Sequence, residues 1–337
     1  MKPLRLFLCL FAITLPAAAA RLPLTGGLDE FLEKFADEAL IYFQTKTEEG
    51  VGFFAITTPS GETGFTGLFG RGMAGVASEG LLVHEGPGVD GVEDIFLERP
   101  GGEPVSFGGP LRDLSPAAWP GGLVVFGTEI EPTAFDIALW TEASGMLIVD
   151  LGCGEETEPA ILHADADDPL GHPVILLFQG FLDETFQIYY AVLGPGAEPV
   201  KVERLLDFPG RALSPEVLNE RPDRAPEDGD TFPFAFHGMT DEVQRDLFLG
   251  ELTFHGDLAD PESIRLTVDE PERINISPGD ERYPRLYRDS AGTLWCLFAS
   301  FRDGDYDIYA LDLATRELFQ LVDLPGTQTA PYVHRLE

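Results

Sequence analysis

Residues 300–313 read SFRDGDYDIYALDL, and weaker copies of this stretch recur along the chain. In each copy a polar turn leads to one recurring position, and an alternating strand follows it. The residues at this position, which we call the anchors, are Gly52, Asp94, Asp136, Gln187, Asp246 and Asp307. A repeat at this spacing indicates an architecture built from similar structural units.

Each unit has the same internal order. A short strand comes first, a turn rich in Gly or Asp follows, and then come a compact apolar strand, the anchor strand and a closing strand. The unit around Asp307 contains all these parts, with LWCLFAS at residues 294–300 as its apolar strand. Four short strands separated by turn residues are typical of a propeller blade. Six such units fit the chain, so the sequence predicts an all-β, six-bladed β-propeller of four-stranded antiparallel blades.

The two ends of the chain compete for one position in the first blade. Residues 329–336, TAPYVHRL, look like an inner strand, and so do residues 31–35. The sequence leaves both alternatives open. Residues 28–40 also fit a helix period tolerably well, but they align with the start of the third unit. We therefore predict blade sequence there.

The composition and the first twenty residues bear on location and partners. The chain has 337 residues, of which 58 are acidic and 22 basic, giving a net charge of -36. Such a charge argues against nucleic acid or an anionic membrane as the partner. Residues 1–20 have the basic start, apolar core and small-residue end of a signal peptide. We expect cleavage after Ala20 and a single propeller domain over residues 21–337, periplasmic or secreted, monomeric and without a membrane span.

Two cysteines remain after the signal peptide, Cys153 and Cys296. Export permits a disulfide, but the repeat places the two residues in well-separated units. We therefore predict two free, buried thiols.

One unit carries a family resemblance. Residues 283–321, YPRLYRDSAGTLWCLFASFRDGDYDIYALDLATRELFQL, resemble the TolB-type propeller repeat, which is found in exported bacterial proteins. The other five units match this repeat in outline. The resemblance implies a propeller fold and no single activity, because the family includes periplasmic accessory proteins, propeller halves of peptidases and a few lyases.

The motifs of common catalytic sites are missing from the sequence: it has no Gly-x-Ser-x-Gly elbow, no His-Glu-x-x-His and no phosphate-binding loop before a helix. Two Asp-rich strings suggest calcium, whose ligands are oxygens. They are Asp303, Asp305 and Asp307, and Asp165, Asp167 and Asp168. Since both strings lie in turns, where Asp side chains cap backbone N–H groups, we predict no metal and no cofactor.

The turns between the second and third strands of the blades form the predicted binding face. Counting seven to nine residues back from the anchors gives Gln44, Glu85, Gly127, Gln179, His237 and Ser300. Nearby loop residues are Lys46, Glu129, Asp183 and Arg302. From these two sets we predict as ligand-binding residues Gln44, Lys46, Glu85, Gln179, His237, Ser300 and Arg302. The alternative is that they only terminate buried strands and meet water.

Two functions fit this sequence. The first is an exported, non-catalytic binding or interaction module, with a protein, a small molecule or a carbohydrate bound on this face. The second is a carbohydrate-active enzyme, a glycoside hydrolase or polysaccharide lyase, acting at the axial mouth. Paired carboxylates such as Glu85 and Glu129 are the residue type that glycoside cleavage requires. The sequence assigns no catalytic residue.

Overall fold

The computed structural model describes residues 22–46, 50–70, 72–76, 80–88, 91–99, 102–108, 111–240, 244–274, 279–302 and 304–336. Over these residues the chain forms 26 strands, one short α-helix, α1 (Leu28–Leu32), and a 3-10 turn, Pro195–Ala197. Among them, no helix is long and apolar enough to cross a membrane. The predicted signal peptide lies outside the described residues.

Six small sheets contain all the described strands. From the inner strand outward, blade 1 contains β26 (Gln328–Arg335), β2 (Ala39–Lys46), β3 (Val51–Thr57) and β4 (Glu62–Phe69). Blade 2 contains β5 (Met73–Val76), β6 (Leu81–Pro87), β7 (Glu93–Glu98) and β8 (Val105–Phe107). Blade 3 contains β9 (Asp113–Trp119), β10 (Leu123–Glu131), β11 (Ala134–Thr141) and β12 (Gly145–Val149).

The remaining blades follow the same order. Blade 4 contains β13 (Thr157–His163), β14 (Val174–Leu182), β15 (Thr185–Leu193) and β16 (Pro199–Arg204). Blade 5 contains β17 (Arg211–Val217), β18 (Thr231–Met239), β19 (Asp246–Asp257) and β20 (Asp260–Val268), and β21 (Glu272–Ile274) also pairs with β19. Blade 6 contains β22 (Glu281–Arg288), β23 (Leu294–Ser300), β24 (Asp307–Asp312) and β25 (Leu318–Gln320), with β1 (Leu24–Gly26) outside β25.

The inner strands form a closed ring. Each one contacts the inner strand of the next blade, and β26 contacts β5, which completes the circle. The hydrophobic core lies between neighbouring blades, because the apolar second and third strands are covered on both faces. The predicted six-bladed β-propeller is therefore confirmed.

The two ends of the chain each add a strand to a blade, the C-terminal end to blade 1 and the N-terminal end to blade 6. The C-terminal strand β26 pairs antiparallel with β2, with Val333 opposite Ile41, so residues 329–336 supply the inner strand of blade 1. The N-terminal strand β1 pairs parallel with β25 at the outer edge of blade 6. Of the two alternatives that the sequence left open, the ring is thus closed by residues 329–336 and not by residues 31–35.

The prediction of blade sequence at residues 28–40 is wrong for its first part, which forms α1. Asp29 and Glu30 occupy the first turn, and the Glu30 carboxylate accepts a hydrogen bond from Gly27 N at 2.9 Å. Such an acidic first turn stabilises a helix start. The apolar face of α1 buries Phe31 against the Trp295 ring, 5.1 Å between centroids. This packing stabilises a helix at residues where the alignment with the third unit predicts a strand.

In blades 4, 5 and 6 the anchor ties the third strand to the segment that follows it. Gln187 Nε2 donates to Gly210 O at 2.5 Å, in the linker to the next blade. Asp246 forms a 2.7 Å ion pair with Arg273, and Asp307 Oδ2 accepts from Gln320 Nε2 at 3.1 Å. This buried linking role favours a polar residue at the anchor in these three blades.

Both cysteines are buried and unbonded, as predicted. Burial raises the pKa of the Cys153 thiol to about 11, with Glu156 and Asp150 adding to the shift. Burial raises the pKa of the Cys296 thiol as well. Neither thiol is therefore set up as a nucleophile at neutral pH.

Candidate functional site

The inner strands share one irregularity, and it shapes the axial channel. In blades 1 and 3 to 6 the register between the first and second strands shifts. At this level one residue in each of five inner strands, and Gly72 just before β5, have a φ between 47° and 57°. We call the six residues the axial ring: Gly72, Ser115, Glu158, Ser214, Tyr283 and Ala330. A positive φ costs a residue with a Cβ about 1–2 kcal/mol, and such strain clusters at functional sites.

Side chains of the axial ring meet across the channel. Burial raises the pKa of Glu158, whereas Arg285 and the hydroxyls of Ser115 and Ser214 oppose that rise. Burial also raises the pKa of Tyr283, and the nearby Glu158 carboxylate adds to the shift. Residues of blades 3, 4, 5 and 6 therefore share one polar environment around Glu158.

Two residues further along each inner strand lies a second layer. Its members are Ala74, Ala117, Ala160, Glu216, Arg285 and Tyr332. Arg285 Nη1 lies 2.7 Å from Glu216 Oε2 in an ion pair. Burial raises the pKa of Glu216, and Arg285 opposes that rise. Burial likewise raises the pKa of Tyr332, so this phenol stays protonated at neutral pH.

The second layer surrounds a cavity of about 500 Å³. Blades 2 to 4 contribute alanines to its wall, together with Pro116 and Pro159, whereas blades 5, 6 and 1 contribute Glu216, Arg285 and Tyr332. One wall is therefore apolar and the other is polar. The volume lies within the range of small-molecule sites.

The cavity opens on the face of the turns between first and second strands. Its rim includes Trp119 and Pro120 at one such turn, Asn219 at another, and Arg288 and Arg335 at the ends of β22 and β26. This is the face opposite the predicted binding face.

Four predicted residues extend toward inner strands. Glu85 Oε1 accepts from Ser115 N at 2.5 Å, and Gln179 Oε1 accepts from Ser214 N at 3.2 Å. Each of these two side chains therefore reaches the axial ring of the next blade. The ring of His237 lies edge-on to Tyr283, 6.0 Å between centroids. Gln44 Oε1 lies 3.5 Å from Thr329 Oγ1 on the inner strand of its own blade.

The other three predicted residues are placed differently. In blade 6 the residue equivalent to Glu85 is Ala299, because Ala299 lies opposite Ile308 just as Glu85 lies opposite Ile95. The predicted position, Ser300, is therefore one residue too far along the strand. The Ser300 hydroxyl is fully buried and donates to Glu281 Oε1 at 3.2 Å. The error arose because the position was assigned to the polar residue that ends the apolar run of residues 294–300.

Lys46 and Arg302 do not reach the axis either. Lys46 is exposed at the end of β2. Arg302 Nη2 donates to Leu22 O at 3.4 Å, toward the outer strand β1. The structure therefore directs Gln44, Glu85, Gln179 and His237 toward four different inner strands, and whether any of the seven residues binds a ligand stays a prediction.

The acidic candidates serve local turns. Glu129 Oε1 accepts from Thr133 N at 2.8 Å within its own hairpin, so Glu129 does not pair with Glu85. Asp165 Oδ1 accepts from the backbone N of Asp167 and Asp168, at 2.9 and 3.0 Å. No cluster of three His, Cys, Asp or Glu side chains suited to a metal ion occurs among the described residues. Asp303 lies outside them.

Sequence reasoning missed a group on the predicted face, between blades 5 and 6. We call it the arginine cluster: Arg245, Asp280, Arg282 and Tyr306. Arg245 and Arg282 both bind Asp280 Oδ2, with nearest distances of 2.9 and 2.5 Å. These contacts hold the pKa of Asp280 at about 2, against the opposing effect of burial. The available signal was two arginines near strand starts in a strongly acidic chain.

Solved structures with a similar fold include two TolB proteins. TolB from Acinetobacter baumannii aligns with 90% of this chain and 69% of its own, at 12% identity and a TM-score of 0.59. A putative TolB from Agrobacterium tumefaciens aligns with 90% of this chain and 99% of its own, at 15% identity and a TM-score of 0.52.

A third structure, hydrazine synthase from Kuenenia stuttgartiensis, aligns with 92% of this chain and 48% of its own, at 10% identity and a TM-score of 0.57. No family profile matches the sequence, and no curated protein matches it. Identities this low establish only the fold: the chain is a six-bladed β-propeller similar in structure to the propeller of TolB.

Proposed function

We propose that this protein is an exported, non-catalytic binding propeller that takes a small ligand in its axial cavity. The observation that carries the proposal is the divided lining of that cavity. Alanines and prolines form one wall, and the Glu216–Arg285 ion pair and Tyr332 form the other. A mostly apolar pocket with a few convergent polar groups is the usual form of a small-molecule site.

The polar wall has capacity for a ligand. A guanidinium carries five N–H donors. The Glu216 carboxylate lies next to Nη1 of the Arg285 guanidinium, so other donors of this group can bind a ligand. The Tyr332 phenol is protonated at neutral pH and stands in the same wall. A ligand that places hydroxyl or carbonyl oxygens here and an apolar edge against the alanines would satisfy both walls.

One observation favours the rival function, a carbohydrate-active enzyme. Two glutamates at the axis, Glu158 and Glu216, have raised pKa values caused by burial. Carboxyl groups of this kind serve as general acids in glycosidases. We prefer binding because Glu216 is held in an ion pair with Arg285 and Glu158 interacts with Arg285 and the hydroxyls of Ser115 and Ser214, whereas glycoside cleavage uses two carboxyl groups that act on the substrate.

A cavity-filling variant tests the proposal. A panel of sugars, amino acids and short peptides is screened for compounds that raise the thermal midpoint of the wild type. Ala117→Leu extends a side chain into the cavity and should abolish the shift. Ala259→Leu, the same change at an exposed residue, should leave the shift intact. Binding that survives Ala117→Leu would place the ligand elsewhere.

The same panel separates the two functions. Turnover of a carbohydrate that is lost in Glu158→Gln would show that the axis is catalytic, and the binding proposal would then be wrong. Binding without turnover is the expected result.

A further inference from the structure

We infer that a second site, for an anionic group such as a carboxylate or phosphate, is built by the arginine cluster and His237 on the face opposite the cavity. It goes beyond the proposed function, because its residues belong to the last part of β18, the turns between second and third strands, and the start of β22. None of them lines the axial cavity.

Hydrogen-bond donors outnumber acceptors in the arginine cluster. Asp280 Oδ2 receives Arg245 Nη1 at 2.9 Å, Arg282 Nε at 3.1 Å and Nη2 at 2.5 Å, and the Tyr306 hydroxyl at 2.9 Å. Asp280 Oδ1 receives Arg245 N at 2.7 Å. A carboxylate offers about four acceptor sites, whereas two guanidiniums carry about ten N–H donors. The remaining donors require acceptors, which water or an anionic ligand would supply.

The local charge has the sign that an anion needs. Two guanidiniums face one carboxylate, in a chain whose net charge is -36. The next acidic residue along the chain, Glu281, is fully buried and accepts a hydrogen bond from Ser300. The side chains of Arg245 and Arg282 are 26% and 30% exposed, so both are open to a ligand from solvent. Arg forks are the preferred partners of carboxylate and phosphate.

His237 supplies a second and independent indication. Its side chain is buried, with 4% exposure, and its Nδ1 has no hydrogen-bond partner among the residues that the structure describes. An unsatisfied buried polar atom is uncommon in a folded protein and calls for an explanation. Burial lowers the pKa of His237 to about 3, and the nearby Arg245 and Arg282 lower it further while Asp280 opposes them. The imidazole therefore lies within electrostatic range of all three charged residues.

Titration with two simple anions tests the site. Inorganic phosphate and citrate are added separately to the full-length protein at constant ionic strength, with chloride as the balancing ion. Imidazole resonances report occupancy of the site, and the resonance of His237 is assigned from His237→Gln. We expect saturable shifts of this resonance in the wild type with at least one probe, and the stronger binder identifies the source of the anionic group.

Single variants assign the binding to the arginines. Arg245→Gln and Arg282→Gln should each weaken the affinity about tenfold or more, because each removes charge-assisted hydrogen bonds. Tyr306→Phe keeps every charge and should weaken it only a few-fold. Arg288→Gln is the matched control, since it removes one positive charge at the rim of the opposite face. Ala117→Leu should have no effect, which separates this site from the axial cavity.

The proposal is overturned by any of three results. The first is the absence of a saturable response of His237 to both anions. The second is equal weakening by Arg288→Gln and by the two cluster variants, which would indicate a general charge effect. The third is an unchanged affinity in a folded Arg245→Gln protein. If Arg282→Gln fails to fold, Arg245→Gln and Tyr306→Phe still decide the question.

Discussion

Several polar side chains in this propeller accept hydrogen bonds from backbone N–H groups of other segments. Glu85 and Gln179 each accept a hydrogen bond from a backbone N–H at the axial ring of the next blade. Glu156 accepts from Leu151 N at 3.0 Å and from Cys153 N at 2.9 Å, at the entry to blade 4. Irregular backbone near the axis is thus paired by side chains, as buried N–H groups require.

Glu156 should make stability depend on pH. Burial raises its pKa to about 7, although the two backbone hydrogen bonds oppose the shift. Since its pKa is higher in the folded than in the unfolded state, its stabilising effect is complete below the unfolded pKa of about 4.5 and is lost as the pH rises through about 7. In Glu156→Gln this dependence is absent. The wild type should therefore lose about 2–3 kcal/mol relative to the variant between about pH 5 and pH 8.

Urea unfolding of both proteins at the two pH values measures this difference. Groups that titrate equally in wild type and variant cancel in the comparison. Parallel changes in the free energy of unfolding, with no change in the gap between the two proteins, would show that Glu156 keeps an ordinary pKa.

At the scale of elements, the sequence predicts the strands that repeat and misses those parts that occur once. The apolar second strands and the anchors locate all six blades, because every copy needs the same burial. The helix α1 occurs once, so aligning residues 28–40 with the third unit concealed its helix period. The register of Ser300 failed for a related reason: side-chain polarity marks where burial ends, whereas pairing with Asp307 fixes the position.

The contact of α1 with blade 6 should contribute much of the stability of the chain ends. Phe31 is fully buried, with ring centroids 5.0 Å from Phe35, 5.1 Å from Trp295 and 6.2 Å from Phe319. Phe31→Ala should lower the free energy of unfolding by about 3–5 kcal/mol, because it leaves a cavity among these rings. Urea unfolding measures the loss.

Phe65→Ala is the matched control for this change. Phe65 is 45% exposed on the outer strand β4, so its truncation should cost about 1 kcal/mol or less. Equal losses in the two variants would mean that α1 does not pack on blade 6 in solution.

At the scale of the molecule, the fold was predictable and the two sites were not. The cavity depends on which blades place alanine and which place Glu216, Arg285 or Tyr332 in the second layer. Only the ring geometry shows that these residues face one another. One signal was present in the sequence: a proline follows the axial-ring residue in five inner strands, as in Ser115-Pro116 and Tyr283-Pro284. Counting from this proline would have identified the second layer.

The net charge of the whole molecule should make its thermal stability depend on salt. The chain has 58 acidic and 22 basic residues, so its net charge is -36. Mutual repulsion of the acidic residues destabilises the compact state, and salt screens it, because the Debye length falls from about 30 Å at 0.01 M to about 8 Å at 0.15 M. The thermal midpoint should therefore rise as NaCl is increased through this range. Choline chloride at equal ionic strength should give the same rise in the thermal midpoint. An effect of NaCl alone would indicate a specific sodium site. A flat or falling midpoint would show that surface ion pairs outweigh the repulsion.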